Sequence, residues 1–208
     1  MSLTILVTGF GPFPGAPSNP TGPLAKRLAR KRRPALANVK VVTHIFPTSY
    51  TAVDRELPAL IAKHKPDALL MFGLAPRARG FRVETRARNI VALLPDAAGD
   101  SIGRHVIAVG KPSSVPLRSP RRPLLGAFHG IAPIALSRDA GRYLCNYLCW
   151  RAAELASTGH GPRITAFIHV PPVRRGARRK RSKVSLGLDD LVVVGARALV
   201  AIAAEARR

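Results

Sequence analysis

The sequence predicts an α/β protein with a mostly parallel sheet covered by helices on both faces, and three observations carry that prediction. Short β-branched or apolar runs alternate with stretches at helical spacing from Thr4 to Phe72, the order that βα units impose. The same alternation returns near the C-terminus, where the apolar run Ile164 to His169 lies between two helical stretches. Hydrophobic residues make up 47% of the 208-residue chain and aromatics only 5%, so Ala, Val, Leu and Ile must build the core, as in many α/β proteins.

The first strand is predicted over Thr4 to Thr8, ended by Gly9; the loop from Gly9 to Gly15 is too rich in glycine and proline for regular structure. A helix opens at Thr21, with Pro23 in its first turn, where a missing N–H does little harm, and Leu24, Ala25 and Leu28 on one face. Val39 to Ile45 reads as a second strand and Tyr50 to His64 as a second helix capped by Thr48 or Ser49. Ala68 to Phe72 is the third strand of this half. Leu93 to Pro133 holds many Gly and Pro and reads as loops around short strands such as His105 to Val109. Beyond it, Asp139 to Ala156 is predicted helical, Ile164 to His169 a strand, and Leu188 to Ala206 a final helix. No internal repeat and no phosphate-binding loop is present.

A chain of this length fits one domain, residues 1–208, burying roughly 70% of the surface of its unfolded form. The N-terminus lacks the basic leader and cleavage site of a secretory signal, and no apolar run reaches the length of a membrane span. A cytoplasmic protein without membrane contact is the expectation, with Cys145 and Cys149 as reduced thiols. Lys and Arg number 34 against 11 Asp and Glu, a net charge of +23. Such a surface attracts phosphates non-specifically. The basic residues are spread along the chain, with dense runs only at Lys26 to Arg33 and Arg174 to Lys183. The second run has no interleaved aromatics to stack on bases, so nucleic-acid contact is expected to be non-specific at most.

Three residues could carry chemistry, and each also has a plain structural reading. His169 closes an apolar strand where ligands of open parallel sheets bind; equally, it could cap loop carbonyls. Cys145 lies early in a helix, where free N–H groups and the dipole favour a thiolate; an inert core cysteine is the alternative, and Cys149, one turn on, fits it well. Glu84 stands in the basic segment Arg77 to Arg86, where pairing with surface arginines is the simplest role.

What joins the three is a resemblance. Val7-Thr8-Gly9-Phe10-Gly11-Pro12-Phe13, followed by Ser18-Asn19-Pro20-Thr21, resembles the opening signature of the pyroglutamyl peptidase I family, the pyrrolidone-carboxylate peptidases of cysteine peptidase family C15. Gly73-Leu74-Ala75 with Glu84 and Ala87-Arg88-Asn89-Ile90 is similar to the segment bearing its glutamate. Ser137 to Asn146 resembles the block of its nucleophile, and Phe167-Ile168-His169-Val170-Pro171 that of its histidine. The resemblance covers essentially the whole chain, ending on Ser185 to Asp190.

The resemblance implies a three-layer α/β/α sandwich with a mostly parallel central sheet, of the phosphorylase/hydrolase-like kind. It implies hydrolysis of the bond after an N-terminal pyroglutamyl residue, with Cys145 as nucleophile, His169 as base and Glu84 orienting the imidazole. It further implies Phe10, Phe13 and Asn19 at the substrate pocket, no cofactor or metal, a small peptide substrate with a blocked N-terminus, and a homo-tetramer. The second reading is a divergent homologue without peptidase activity that binds a ligand or partner. The chain departs from the family at Leu74, where glutamine is usual, at Pro76-Arg77 in place of a glycine pair, and before Pro95, where the family arginine is missing. Substrate choice and oxyanion stabilisation are the properties those positions would touch.

Overall fold

Alternating apolar strands and helices assemble, in a computed structural model describing residues 3–13, 15–128, 130, 132–159, 161–173 and 186–208, into a sheet of six strands flanked by helices. The basic run Arg174 to Lys183 lies outside the described residues. The strands are β1 (Leu3–Phe10), β2 (Val39–Phe46), β3 (Ala68–Leu74), β4 (Phe81–Glu84), β7 (Ile134–Ser137) and β8 (Ile164–Val170), in the order β2-β1-β3-β8-β4-β7. A separate antiparallel pair joins β5 (Arg86–Arg88) to β6 (Ser114–Pro116). The helices are α1 (Thr21–Ala29), α2 (Tyr50–His64), α3 (Arg121–Ala127), α4 (Leu144–Ser157) and α5 (Leu188–Ala206).

Every residue of β8 is buried, and β3 is buried along all but its last residue, as strands covered on both faces must be. One core packs Leu24 and Leu28 of α1, Leu124 of α3 and Leu191, Leu199 and Ile202 of α5 on one face of the sheet. The other packs Val53 and Leu57 of α2 with Leu148 and Trp150 of α4 on the opposite face. The result is the three-layer α/β/α sandwich. Its sheet is parallel except where β4 runs antiparallel to β8. Among the described residues, no helix is long and apolar enough to cross a membrane.

Helices α2 and α5 match the predicted ranges. Ser49, not Thr48, caps α2, its hydroxyl accepting from the Ala52 N–H at 3.3 Å. The Asp190 carboxylate accepts from the Gly187 N–H at 2.8 Å and so closes the start of α5.

Three expectations are corrected. In the stretch Leu93 to Pro133, read as loops around short strands, Arg121–Ala127 is helix α3, with Leu124 buried in the core. His105 to Val109 forms turns rather than a strand: the Asn89 side chain takes the partners a neighbouring strand would supply, accepting from the Ile107 and Ala108 N–H groups and donating to Ala108 O. The helix expected from Asp139 begins only at Leu144. Gly141 has φ +87°, a conformation open to glycine. The Asp139 carboxylate accepts from the Gly141 N–H at 3.0 Å, so a side-chain turn replaces the first helical turn.

Candidate active site

The delayed start of α4 decides where Cys145 sits. It is the second residue of the helix, and no side chain caps the N-terminus at Tyr143. First-turn N–H groups have no intrahelical acceptor, so the turn that carries Cys145 also carries free donors. Asn146, buried on the next position, donates to Arg88 O at 2.8 Å and Ile90 O at 2.9 Å and accepts from the Arg88 N–H at 2.9 Å. That clamp holds the start of α4 against the segment leaving β5.

His169 is the penultimate residue of β8, flanked in register by Gly73 of β3 and Arg82 of β4. Its Nδ1 donates to Glu84 Oε1 at 2.8 Å. Glu84 is fully buried, not paired with surface arginines. Its carboxylate comes to His169 because β4 enters the sheet antiparallel to β8, a register that brings together residues 85 apart in sequence. The Phe167 ring packs edge-on against the imidazole, with centroids 4.9 Å apart.

With Nδ1 committed to Glu84, Nε2 remains for the thiol. Burial alone would lower the imidazole pKa, but hydrogen bonding and attraction to Cys145, then to Glu84, outweigh it and raise His169 to about 9. The arrangement therefore makes His169 a ready acceptor for the thiol proton. Cys149 is the opposite case: burial first, then the charges of Glu84 and Cys145, push its thiol up, which leaves it inert. Gly73 makes room for the pair, since a Cβ there would lie 2.8 Å from Cys145 Sγ and 2.5 Å from Phe167 Cζ.

Cys145 and His169 open on a cavity of about 440 Å³ at the carboxyl ends of β1, β3 and β8, the place where an open parallel sheet offers a crevice. Phe10, Phe13, Leu74 and Leu144 supply apolar wall. Asn19 lines the cavity too, but its amide is engaged locally: Nδ2 donates to Gly11 O at 3.2 Å and Oδ1 accepts from the Thr21 N–H and hydroxyl. It holds the loop that leaves β1 at Phe10 and carries Phe13.

Four lining or supporting residues were absent from the sequence reading as site residues. Thr48 lines the cavity, and its buried hydroxyl has no partner among the described residues; in sequence it read only as a cap. Arg82 and Arg142 also line it, hidden in sequence among many other arginines. Asn146 could have been found as an amide on an otherwise apolar helix face.

Residues 3–207 match the model of the family described as pyroglutamyl peptidase. The chain belongs to that family. A pyrrolidone-carboxylate peptidase of Pyrococcus furiosus is 32% identical over 172 residues, covering 81% of each chain. One of Streptococcus suis is 30% identical over 200 residues, covering 91% of this chain and 87% of its own. The solved pyrrolidone carboxyl peptidase of Thermococcus litoralis superposes with a TM-score of 0.85 at 28% identity, over 99% of this chain and 96% of the other.

These matches favour the peptidase reading over that of a non-enzymatic homologue. Within the pyroglutamyl peptidase fold, the departures noted in the sequence occupy defined places. Leu74 is part of the cavity wall. Leu93 and Leu94, in the apolar stretch before Pro95, are 51% and 58% exposed.

Proposed function

We propose that this pyroglutamyl peptidase family member hydrolyses the amide bond after an N-terminal pyroglutamyl residue, with Cys145 as nucleophile, His169 as general base and acid, and Glu84 as the residue that orients the imidazole. One observation carries the assignment: a thiol on the uncapped first turn of α4 faces a histidine whose other nitrogen is held at 2.8 Å by a buried carboxylate, at the mouth of a cavity.

The steps follow from that geometry. The Cys145 proton passes to His169 Nε2, and the thiolate attacks the exocyclic carbonyl carbon of the pyroglutamyl residue. Charge on the carbonyl oxygen is met by the free N–H groups of the first turn of α4. As the tetrahedral intermediate collapses, the imidazolium protonates the departing amine and a thioester to Cys145 remains. His169 then takes a proton from water, which attacks the thioester and releases pyroglutamate. Glu84 keeps Nδ1–H pointed away from the thiol and stabilises the imidazolium, as the carboxylate of a serine triad does.

The lactam is flat and uncharged, so it suits a wall of Phe10, Phe13, Leu74 and Leu144. The roles of Phe10 and Phe13 are direct contact, and that of Asn19 is support of their loop.

Alkylation tests the assignment of the nucleophile. Iodoacetamide at neutral pH is expected to label Cys145 and spare Cys149, with the rate at Cys145 reduced in His169→Asn. Equal labelling of both thiols, or a rate indifferent to His169, would count against it.

A further inference from the structure

The lactam leaves two charges in the cavity unused. Arg82 and Arg142 both line it, and both are exposed. The β4 alternation explains Arg82: Phe81 and Val83 point into the core beneath α3 and α5, whereas Arg82 shares its strand face with Glu84 and stands directly opposite His169. Arg142 comes from the turn that delivers Cys145 to the first turn of α4. The two arginines therefore reach the cavity from different elements.

Neither takes part in an ion pair among the described residues. Among the described residues, the one acidic side chain on the cavity wall is already committed. Asp139 pairs with Arg88 Nη1 at 2.8 Å and accepts from the Gly141 N–H at 3.0 Å. The local balance is thus positive, in a chain whose net charge of +23 already draws anions toward it. A planar guanidinium fork matches a carboxylate better than any other common peptide group.

We propose that Arg82 and Arg142 make this site selective for pyroglutamyl substrates that carry a carboxylate next to the scissile bond. The carboxylate has two sources: the C-terminus of a pyroglutamyl dipeptide, or an acidic side chain on the residue after pyroglutamate. The inference rests on the peptidase reading and adds the substrate class to it.

Three substrates separate these cases: pyroglutamyl-alanine amide, which is neutral; pyroglutamyl-alanine with its free carboxylate; and pyroglutamyl-glutamate amide, charged only on the side chain. The wild-type enzyme is expected to show kcat/KM about tenfold higher for at least one charged substrate than for the neutral one, the scale of one charge-assisted hydrogen bond. Which one is favoured identifies the source. The preference should shrink with added salt and collapse toward unity in the double variant Arg82→Met, Arg142→Met, with part of it kept in Arg82→Lys.

Equal kcat/KM for all three substrates in the wild type overturns the proposal and leaves the peptidase reading intact. So does a preference that survives the double variant, or a loss of the same factor on every substrate, which would assign the arginines to chemistry or folding instead. No turnover of any of the three overturns the peptidase reading and this inference with it.

Discussion

Replacing Gly73 by alanine tests whether the thiol and imidazole depend on the close approach of β3. The added Cβ would stand 2.8 Å from Cys145 Sγ and 2.5 Å from Phe167 Cζ, against an ordinary carbon contact of about 3.5–4.0 Å. Relief requires a shift of about 1 Å shared between the thiol and the ring, and a displacement of that size at a reacting atom costs roughly 10²-fold in rate. Overpacking of this kind destabilises a core by about 1–3 kcal/mol, which a domain with about 5–15 kcal/mol to spare survives. The assay is kcat/KM on a pyroglutamyl amide, with urea unfolding in parallel. Gly73→Ala should remain folded, with kcat/KM down about 10²-fold. Adding Phe167→Leu makes room on the ring side and should recover stability while activity stays low, because the contact with Sγ persists. A folded Gly73→Ala enzyme with kcat/KM within about twofold of wild type would refute the reasoning, since a 1 Å misplacement is expected to cost far more.

Three further outcomes follow from the same site. Glu84→Gln keeps an acceptor near Nδ1 but removes the charge opposite the imidazolium, and kcat should fall by about 10²-fold or more while the fold is retained; wild-type kcat would exclude the orienting role. His169, raised from 6.5 to about 9, contributes stability that is fully present below pH 6.5 and is lost as the pH rises through about 9. The unfolding free-energy difference between wild type and His169→Asn should therefore narrow between about pH 6 and pH 10, and a constant difference would contradict the assigned shift. Asn146→Ala removes three partly buried hydrogen bonds at 2.8–2.9 Å and should cost about 2–4 kcal/mol in urea unfolding, with a lower kcat/KM because the start of α4 loses its anchor. Destabilisation below about 0.5 kcal/mol would show that the clamp contributes little.

Much of the fold was legible because its central strands are continuously apolar and its long helices carry their own start signals. Leu188 to Ala206 is helical over the range its pattern indicates, and Ala68 to Leu74 extends the predicted strand by two residues. The short elements were not legible. Strands Phe81–Glu84 and Ile134–Ser137 have only four residues each, too few for a period to stand out, and they are strands because the sheet edge offers them partners. The early start predicted for α4 failed for a local reason, the Asp139 side-chain turn at Gly141, which mimics a helix cap in sequence.

The site shows the same division. His169 at a strand end and Cys145 near a helix start were readable as candidates from position alone. Glu84 was not, because its place beside His169 depends on the antiparallel register of β4 on β8; only family resemblance singled it out. Thr48, Arg82 and Asn146 gained meaning only from the cavity and the hydrogen bonds around them.

Release of the fluorophore from a pyroglutamyl coumarin amide near neutral pH, by the wild-type chain and by Cys145→Ala, tests the central claim most directly. The account predicts steady release by the wild type and none above background by the variant. An inactive wild type, or a Cys145→Ala variant as active as the wild type, would contradict it.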